Sequence, residues 1–250
     1  NVLQQTVATA QAYGWPAGPV NGQEFRHGLK SNFVALYNTP QILAAWQEIP
    51  SISIVTDQRH LTDPSTGLYV NPSGVGAAWE RPVSIELIHP DGSDGFQEDA
   101  GLRIPGGQSS STGFPKHSFH AFFRREYGSA KLKFPLFGND GADEFDTIDL
   151  RCEHGYAYAD PYPYSDEFTA IRDVFCRAVW GTAGYASTRS RPYHLYLNGQ
   201  YWGLYQTQER AQEDYGATYF GGAPEEYDVI KATGLPQTTI EAASGDFTQW

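Results

Sequence analysis

The stretch RPYHLYLNGQYWGLYQTQER, residues 191–210, constrains this chain more than any other. Asn198-Gly199 sits between two aromatic-rich runs. That pair suits a type I′ turn, in which both central residues take positive φ, so the flanking runs pair antiparallel as a hairpin. A two-stranded hairpin is marginal in water and needs further strands or a helix against it. The β-branched runs SISIVTD (51–57) and RPVSIELIHPDG (81–92) provide strands, the second closed by an Asp91-Gly92 turn. FDTIDLRC (145–152) reads as a central strand through Phe145, Ile148 and Leu150, and KLKFPLF (131–137) precedes it.

Two segments carry the helical period instead. TPQILAAWQEIP (39–50) offers Thr39 as N-cap and Pro40 at the first helical position, with Ile42, Ala45, Trp46 and Ile49 on one face. In DEFTAIRDVFCRAVWG (166–181), Phe168, Ile171, Phe175 and Val179 recur at helical spacing, and Gly181 stands where a C-terminal glycine is expected. The fold class that follows is α+β, a mainly antiparallel sheet with one packed helix. Residues 1–45, rich in Gly, Pro, Gln and Asn, read as an irregular lead-in, and residues 46–250 as the folded part.

The net charge of −12 and the lack of any Lys/Arg cluster exclude a nucleic-acid backbone as the main partner. No apolar run reaches the 18 to 20 residues that span a bilayer. The chain starts at Asn1 and holds no Met, as a piece of a longer polypeptide would. Two cysteines, Cys152 and Cys176, allow either one bridge or two separate thiols, and no four-cysteine zinc site.

GLRIPGGQSSSTGFPKHSFHAFF (101–123) poses the chemical question. It fits neither the P-loop, since Lys116 does not follow a glycine, nor the kinase glycine loop, since Gln108 stands where its second glycine belongs. Alternation puts Leu102 and Ile104 on one face and Arg103 on the other. In the return strand Phe119 and Phe123 point inward and Lys116, Ser118 and His120 outward, so Arg103 and Lys116 converge beside a loop whose N–H groups can face an anion. The bland alternative is two solvated charges at a hairpin tip. Arg172 shares a helix face with Phe168 and Phe175, points to the sheet and needs a partner, either Glu209 or a bound phosphate. The acidic run NDGADEFD (139–146) does not have the spacing of a calcium loop and reads as a solvated turn.

Taken in order, SISIVTD, GLYVNP, WERPVSIELIHPDG, FQEDAGLRIPGG, KHSF, FRREYG, KLKFPLFG, IRDVF, LYLNGQYWGLYQTQER and YFGG resemble the CotH kinase family, the spore-coat-protein-H-like secreted kinases, from about residue 49 onward. The resemblance implies a protein-kinase-like N-terminal lobe that binds ATP with Mg²⁺ or Mn²⁺, and a secreted or cell-surface bacterial protein acting on Ser/Thr of a protein substrate. Residue by residue it implies nucleotide contacts at Arg103, Gly106, Gly107, Ser109, Lys116, Arg172 and Glu209, the last near the adenine. It also implies that the catalytic aspartates follow the residues present here, so that the chain by itself is catalytically silent. Three departures, Pro105 before the loop, His117 for a second lysine and His120 for an arginine, reduce the positive charge or the regularity of that loop. They motivate a second expectation, a non-catalytic extracellular structural or adhesion module with a degenerate kinase-like fold.

Overall fold

The computed structural model describes residues 3, 5–29, 31–152, 170–233, 239–245 and 248. In chain order these form α1 (Val7–Ala12), α2 (Ser31–Leu36), α3 (Thr39–Trp46), β1 (Ser51–Val55), α4 (Gln58–Thr62), β2 (Arg81–Ile88), β3 (Gln97–Arg103), β4 (Phe119–Phe122), β5 (Leu132–Lys133), β6 (Glu144–Phe145), β7 (Thr147–Arg151), α5 (Arg172–Thr182), β8 (Ser190–Leu197), β9 (Gln200–Glu209), α6 (Glu213–Phe220), β10 (Val229–Thr233) and β11 (Thr239–Ser244). The architecture is α+β with a mostly antiparallel sheet of seven strands, ordered β1-β2-β3-β4-β7-β9-β8 and closed into a barrel. Closure comes from one parallel pairing, Ser51 to Ile54 of β1 against His194 to Leu197 of β8. Joining the two edges leaves no row of unpaired backbone groups on this sheet.

Period-2 burial places the core inside the barrel. Ile52, Ile54, Ile85, Leu102, Ile148 and Leu150 are all essentially inaccessible. The turn between β8 and β9 has φ of 46° at Asn198 and 74° at Gly199, as a type I′ turn requires. β5 and β6 form a small separate hairpin, on which Lys133 pairs with Glu144 at 3.3 Å and, just beyond β6, Lys131 pairs with Asp146 at 3.4 Å.

Four expectations change. The segment 1–45 is not an irregular lead-in: it contains α1, α2 and most of α3, and Ala10 and Trp15 belong to the barrel core. Trp15 stacks on Trp202 at 4.5 Å between ring centroids, closing one barrel mouth. α3 is capped one residue earlier than expected, by Asn38, which accepts from the Gln41 N–H while the Gln41 side chain accepts from Asn38. α5 continues through Thr182, and the positive-φ glycine past its end is Gly184, at 87°, not Gly181.

The expected apolar face of α5 is uncovered: Phe175 is 65% exposed and Val179 51%, with Ile171 similar. Phe168 lies outside the described residues. Spacing shows where apolar side chains recur on a helix; it does not show that anything packs on them. Cys152 is buried and Cys176 exposed, and no disulfide joins them.

Candidate functional site

The outer face of the barrel beside the β3–β4 connection gathers most of the polar chemistry. Register sets two adjacent rows there. Arg103, His120, Asp149 and Gln208 lie opposite one another across β3, β4, β7 and β9. Gly101, Phe122 and Thr147 form the next row. On β7 only Ile148 and Leu150 point inward, which leaves Thr147, Asp149 and Arg151 on the outer side.

In the first row the His120 Nδ1 lies 2.5 Å from the Asp149 carboxylate. Arg151 donates to Gln208 Oε1 at 2.9 Å and pairs with Asp173 of α5 at 2.9 Å, while Asp173 also lies 3.5 Å from Arg177. The Arg151–Asp173 ion pair ties the helix to the sheet. In the second row the Phe122 ring has the guanidinium carbons of Arg103 and Arg124 each 4.7 Å from its centroid. Gly101 makes room for this layer: a Cβ there would come within 2.4 Å of Glu80 Oε1 and 2.5 Å of the Tyr127 ring. Gly101→Val is expected to cost about 1–3 kcal/mol, read as a lower urea midpoint at unchanged slope.

The residues expected to hold a nucleotide do not come together as one set. Gly106 and Gly107 lie exposed after Pro105 has ended β3 at Arg103, and Gly107, at φ 83°, opens a short 3₁₀ turn to Ser110. The backbone of Ser109 is part of that turn; its side chain lies outside what the structure describes. Lys116 does not share a row with His120. Its ammonium sits 3.7 Å from the centroid of the Trp202 ring and donates to the Arg26 carbonyl at 3.0 Å. Arg103 instead contacts Phe122 and, at 3.9 Å, Glu80, so the two cations have no partner in common.

The physical reason is that β4 begins only at Phe119, so alternation does not extend back to Lys116. Residues 114–118 are instead tied down individually. Gln23 donates to the Phe114 carbonyl, Tyr69 to Pro115 and Tyr205 to His117, each within 3.0 Å. Burial pulls the Lys116 ammonium down to about pKa 7, with Cys152 opposing the fall and Arg26 adding to it.

Arg172 is exposed on the first turn of α5. Glu209 does not pair with it. The Glu209 carboxylate, 3% exposed, accepts the Arg189 backbone N–H at 2.7 Å, faces the Arg189 guanidinium at 3.3 Å and accepts the Tyr219 hydroxyl. Glu209 does line a small open cleft of about 50 Å³ between the ends of β7 and β9 and α6, together with Asp146, Arg210, Asp214 and Tyr215. Burial and the neighbouring Asp146 carboxylate raise the pKa of Asp214 there.

ATP phosphates need unspent cationic donors on one accessible face. Arg151, whose Nη1 alone is engaged by Gln208 and Asp173, and Arg103 come nearest to that need, and the buried amide of Gln206, opposite Arg151 across the strands and without a hydrogen-bond partner among the described residues, adds a polar group beside Arg151. Lys116 and Glu209, spent inside the barrel mouth and on Arg189, do not. No cluster of three His, Cys, Asp or Glu that suits a metal occurs among the described residues. Sequence reasoning missed Arg151. The signal that finds it is alternation in TIDLR, which sets Arg151 on the face opposite Ile148 and Leu150.

No helix among the described residues is long and apolar enough to cross a membrane. No curated protein matches the chain. The sequence profile of the CotH kinase proteins matches residues 102–244, from the end of β3 to the end of β11. That is more than half of the 250 residues, and the chain belongs to the CotH kinase protein family.

Proposed function

We propose that this chain is the nucleotide-binding part of a CotH-type protein kinase that takes ATP, with Mg²⁺ or Mn²⁺ entering alongside it, and serves phosphoryl transfer to Ser or Thr of a secreted or cell-surface protein. The observation that carries the reading is the Arg151–Asp173 pair at 2.9 Å. Protein kinases place a glycine loop between two strands, then a strand cation that reaches the phosphates and is held by an acid on the following helix. Here the glycine turn lies between β3 and β4, Arg151 ends β7, and Asp173 lies in the first turn of α5, before the β8–β9 hairpin.

Asp173 fixes the Arg151 fork in one orientation, and the side chain remains 34% exposed, so donors face outward. The exposed turn at Gly106 and Gly107 stands at the same end of β3 and β4, with open space where a Cβ would be. Arg103 shares the outer face with Arg151. The chain's own part is thus to bind and orient phosphates, by a fixed cation and a backbone turn.

Titration calorimetry with ATP and MnCl₂ tests this. The expected result is saturable binding that Arg151→Ala weakens roughly tenfold to hundredfold and that Lys116→Met leaves unchanged. Absence of binding at millimolar nucleotide, or equal affinity in Arg151→Ala, overturns the reading. A non-catalytic adhesion module is the second reading, supported by the Trp180 and Tyr185 rings, stacked at 4.4 Å and each more than half exposed. An aromatic pair of that kind suits contact with a carbohydrate or protein surface.

A further inference from the structure

α5 is attached to the barrel by its charged side. Asp173 meets Arg151 of β7 at 2.9 Å, and the Arg177 guanidinium donates to the buried Thr188 hydroxyl ahead of β8. The other side is apolar and faces outward. Ile171, Phe175, Val179 and Trp180 are each more than half exposed, and so is Tyr185, whose ring stacks on Trp180 at 4.4 Å. None of the 11 residues of α5 is buried. A helix this short is marginal in water by itself and draws most of its stability from an apolar face packed on something. The placement here, polar side in and apolar side out, is the reverse of a solvated surface helix and marks the outer side as an interface.

Area, charge and shape select the occupant. Five side chains of this size, each more than half exposed, present roughly 500 Å² of surface. Two copies laid face to face bury about 1,000 Å², the least that a specific interface needs. From Val174 to Ser187 the sequence has no Asp or Glu, although the chain holds 29, so two copies of net charge −12 can meet here without opposing carboxylates. Ile171, Phe175 and Val179 form one ridge at four-residue spacing, with Cys176 and Trp180 forming a second beside it. The groove between them accepts the same ridge of another copy. A lipid surface fits less well, because interfacial helices show their Lys and Arg to the headgroups, whereas the polar side of α5 is turned into the barrel.

We propose that the outer face of α5 is the contact through which two copies of this chain pair as a symmetric dimer, helix against helix in antiparallel sense. A two-fold axis passing between Phe175 and Cys176 sets Trp180 of each copy against Ile171 of the other and opposes the two helix dipoles. Asp173 and Arg151 lie on the barrel side of α5, so pairing neither needs nor blocks the nucleotide site.

Sedimentation velocity of the 250-residue chain under reducing conditions, over about 1–200 μM to cover the weak end of specific interfaces, tests the pairing. A reversible monomer–dimer equilibrium is expected. Phe175→Glu places a carboxylate from each copy at the axis and should weaken it roughly tenfold to hundredfold. Val75→Glu adds the same charge at an exposed apolar residue in the segment before β2 and should leave it unchanged; both side chains are exposed, so neither variant threatens the fold. Added NaCl should hold or raise the affinity, because screening relieves the repulsion between two acidic copies. Diamide takes up two electrons and two protons from a pair of thiols. It should join Cys176 to the partner's Cys176 as a disulfide, and give no such product in Cys176→Ser, since Cys152 is buried. A chain that stays monomeric throughout, a dimer that Phe175→Glu leaves intact, or a dimer that yields no Cys176 crosslink overturns the proposal. In the monomeric case, α5 amides protected from hydrogen exchange would show the face to be covered from within the same chain.

Discussion

Trp202→Ala is expected to lower the unfolding free energy by about 3–5 kcal/mol, the range for removing a large aromatic side chain from a packed core. Trp202 is 1% exposed and is the centre of the aromatic group that closes the barrel mouth. Trp15 stacks on it at 4.5 Å, and Tyr69 and His27 meet it edge-on at 5.3 and 5.8 Å. Its indole N–H donates to the Tyr69 hydroxyl at 3.0 Å, and that hydroxyl donates in turn to the Pro115 carbonyl. Deleting the ring leaves a cavity between the β8–β9 hairpin and the N-terminal segment, so the loss exceeds the transfer term alone. Trp202→Phe keeps most of the apolar volume and loses one hydrogen bond, and should cost about 1–2 kcal/mol. Urea unfolding followed by far-ultraviolet circular dichroism measures both. If Trp202→Ala cost less than Trp202→Phe, or under about 1 kcal/mol, residues 7–29 would not be packed on the barrel.

That N-terminal packing is a place where the sequence was least legible. Strand alternation in SISIVTD, RPVSIELI and TIDLR, and the glycine turn at Asn198-Gly199, are local signals, and each specifies a geometry that the chain adopts; Phe145, expected on the same strand as Ile148 and Leu150, instead belongs to β6 of the separate hairpin. Pairing between distant segments has no such signal. Nothing in SISIV marks it as the parallel neighbour of HLYL, and Trp15 in a Gly/Pro-rich run looks like any loop tryptophan until its partner is known. Lys116 failed for a different reason. Alternation extended back from Phe119 to Lys116 runs into residues that are not in a strand, where the side-chain direction is set by separate bonds from Gln23, Tyr69 and Tyr205.

The candidate site divides in the same way. Arg103 was placed on the correct face because β3 is regular up to that residue. Glu209 ends the hairpin, and of the two partners open to Arg172 it is not one, since the β8–β9 pairing brings Arg189 to it instead. Family resemblance supplies the order of glycine turn, helix and hairpin, and it points to Arg172 on the helix that carries IRDVF. Only the fold shows that its neighbour Asp173 is the residue facing β7.

Lys116→Met is expected to raise stability by about 1–3 kcal/mol at pH 6–7 and to flatten the stability profile at higher pH. The ammonium is held by one carbonyl and one ring face, and no carboxylate pairs with it among the described residues. Burial, the largest influence, brings its pKa from 10.5 to about 7. A lysine whose folded pKa lies below its unfolded value favours the unfolded state while it is charged. Between about pH 7 and 10.5 the unfolded chain binds the extra proton, so wild-type stability climbs with pH across that window; below pH 7 the full cost is present. Methionine has similar length, fills the space over Trp202 and titrates nowhere, so the variant's advantage should shrink toward zero near pH 10.5. His27, lowered from 6.5 to about 4 by burial and then by Lys116, contributes below about pH 6.5, so it adds to the difference at pH 6 and leaves the window from pH 7 to 10.5 to the lysine. Urea midpoints at pH 6, 8 and 10 make the comparison. A variant less stable than wild type at every pH would mean that the Trp202 and Arg26 contacts outweigh desolvation, and that the lysine is a structural clamp in its charged form.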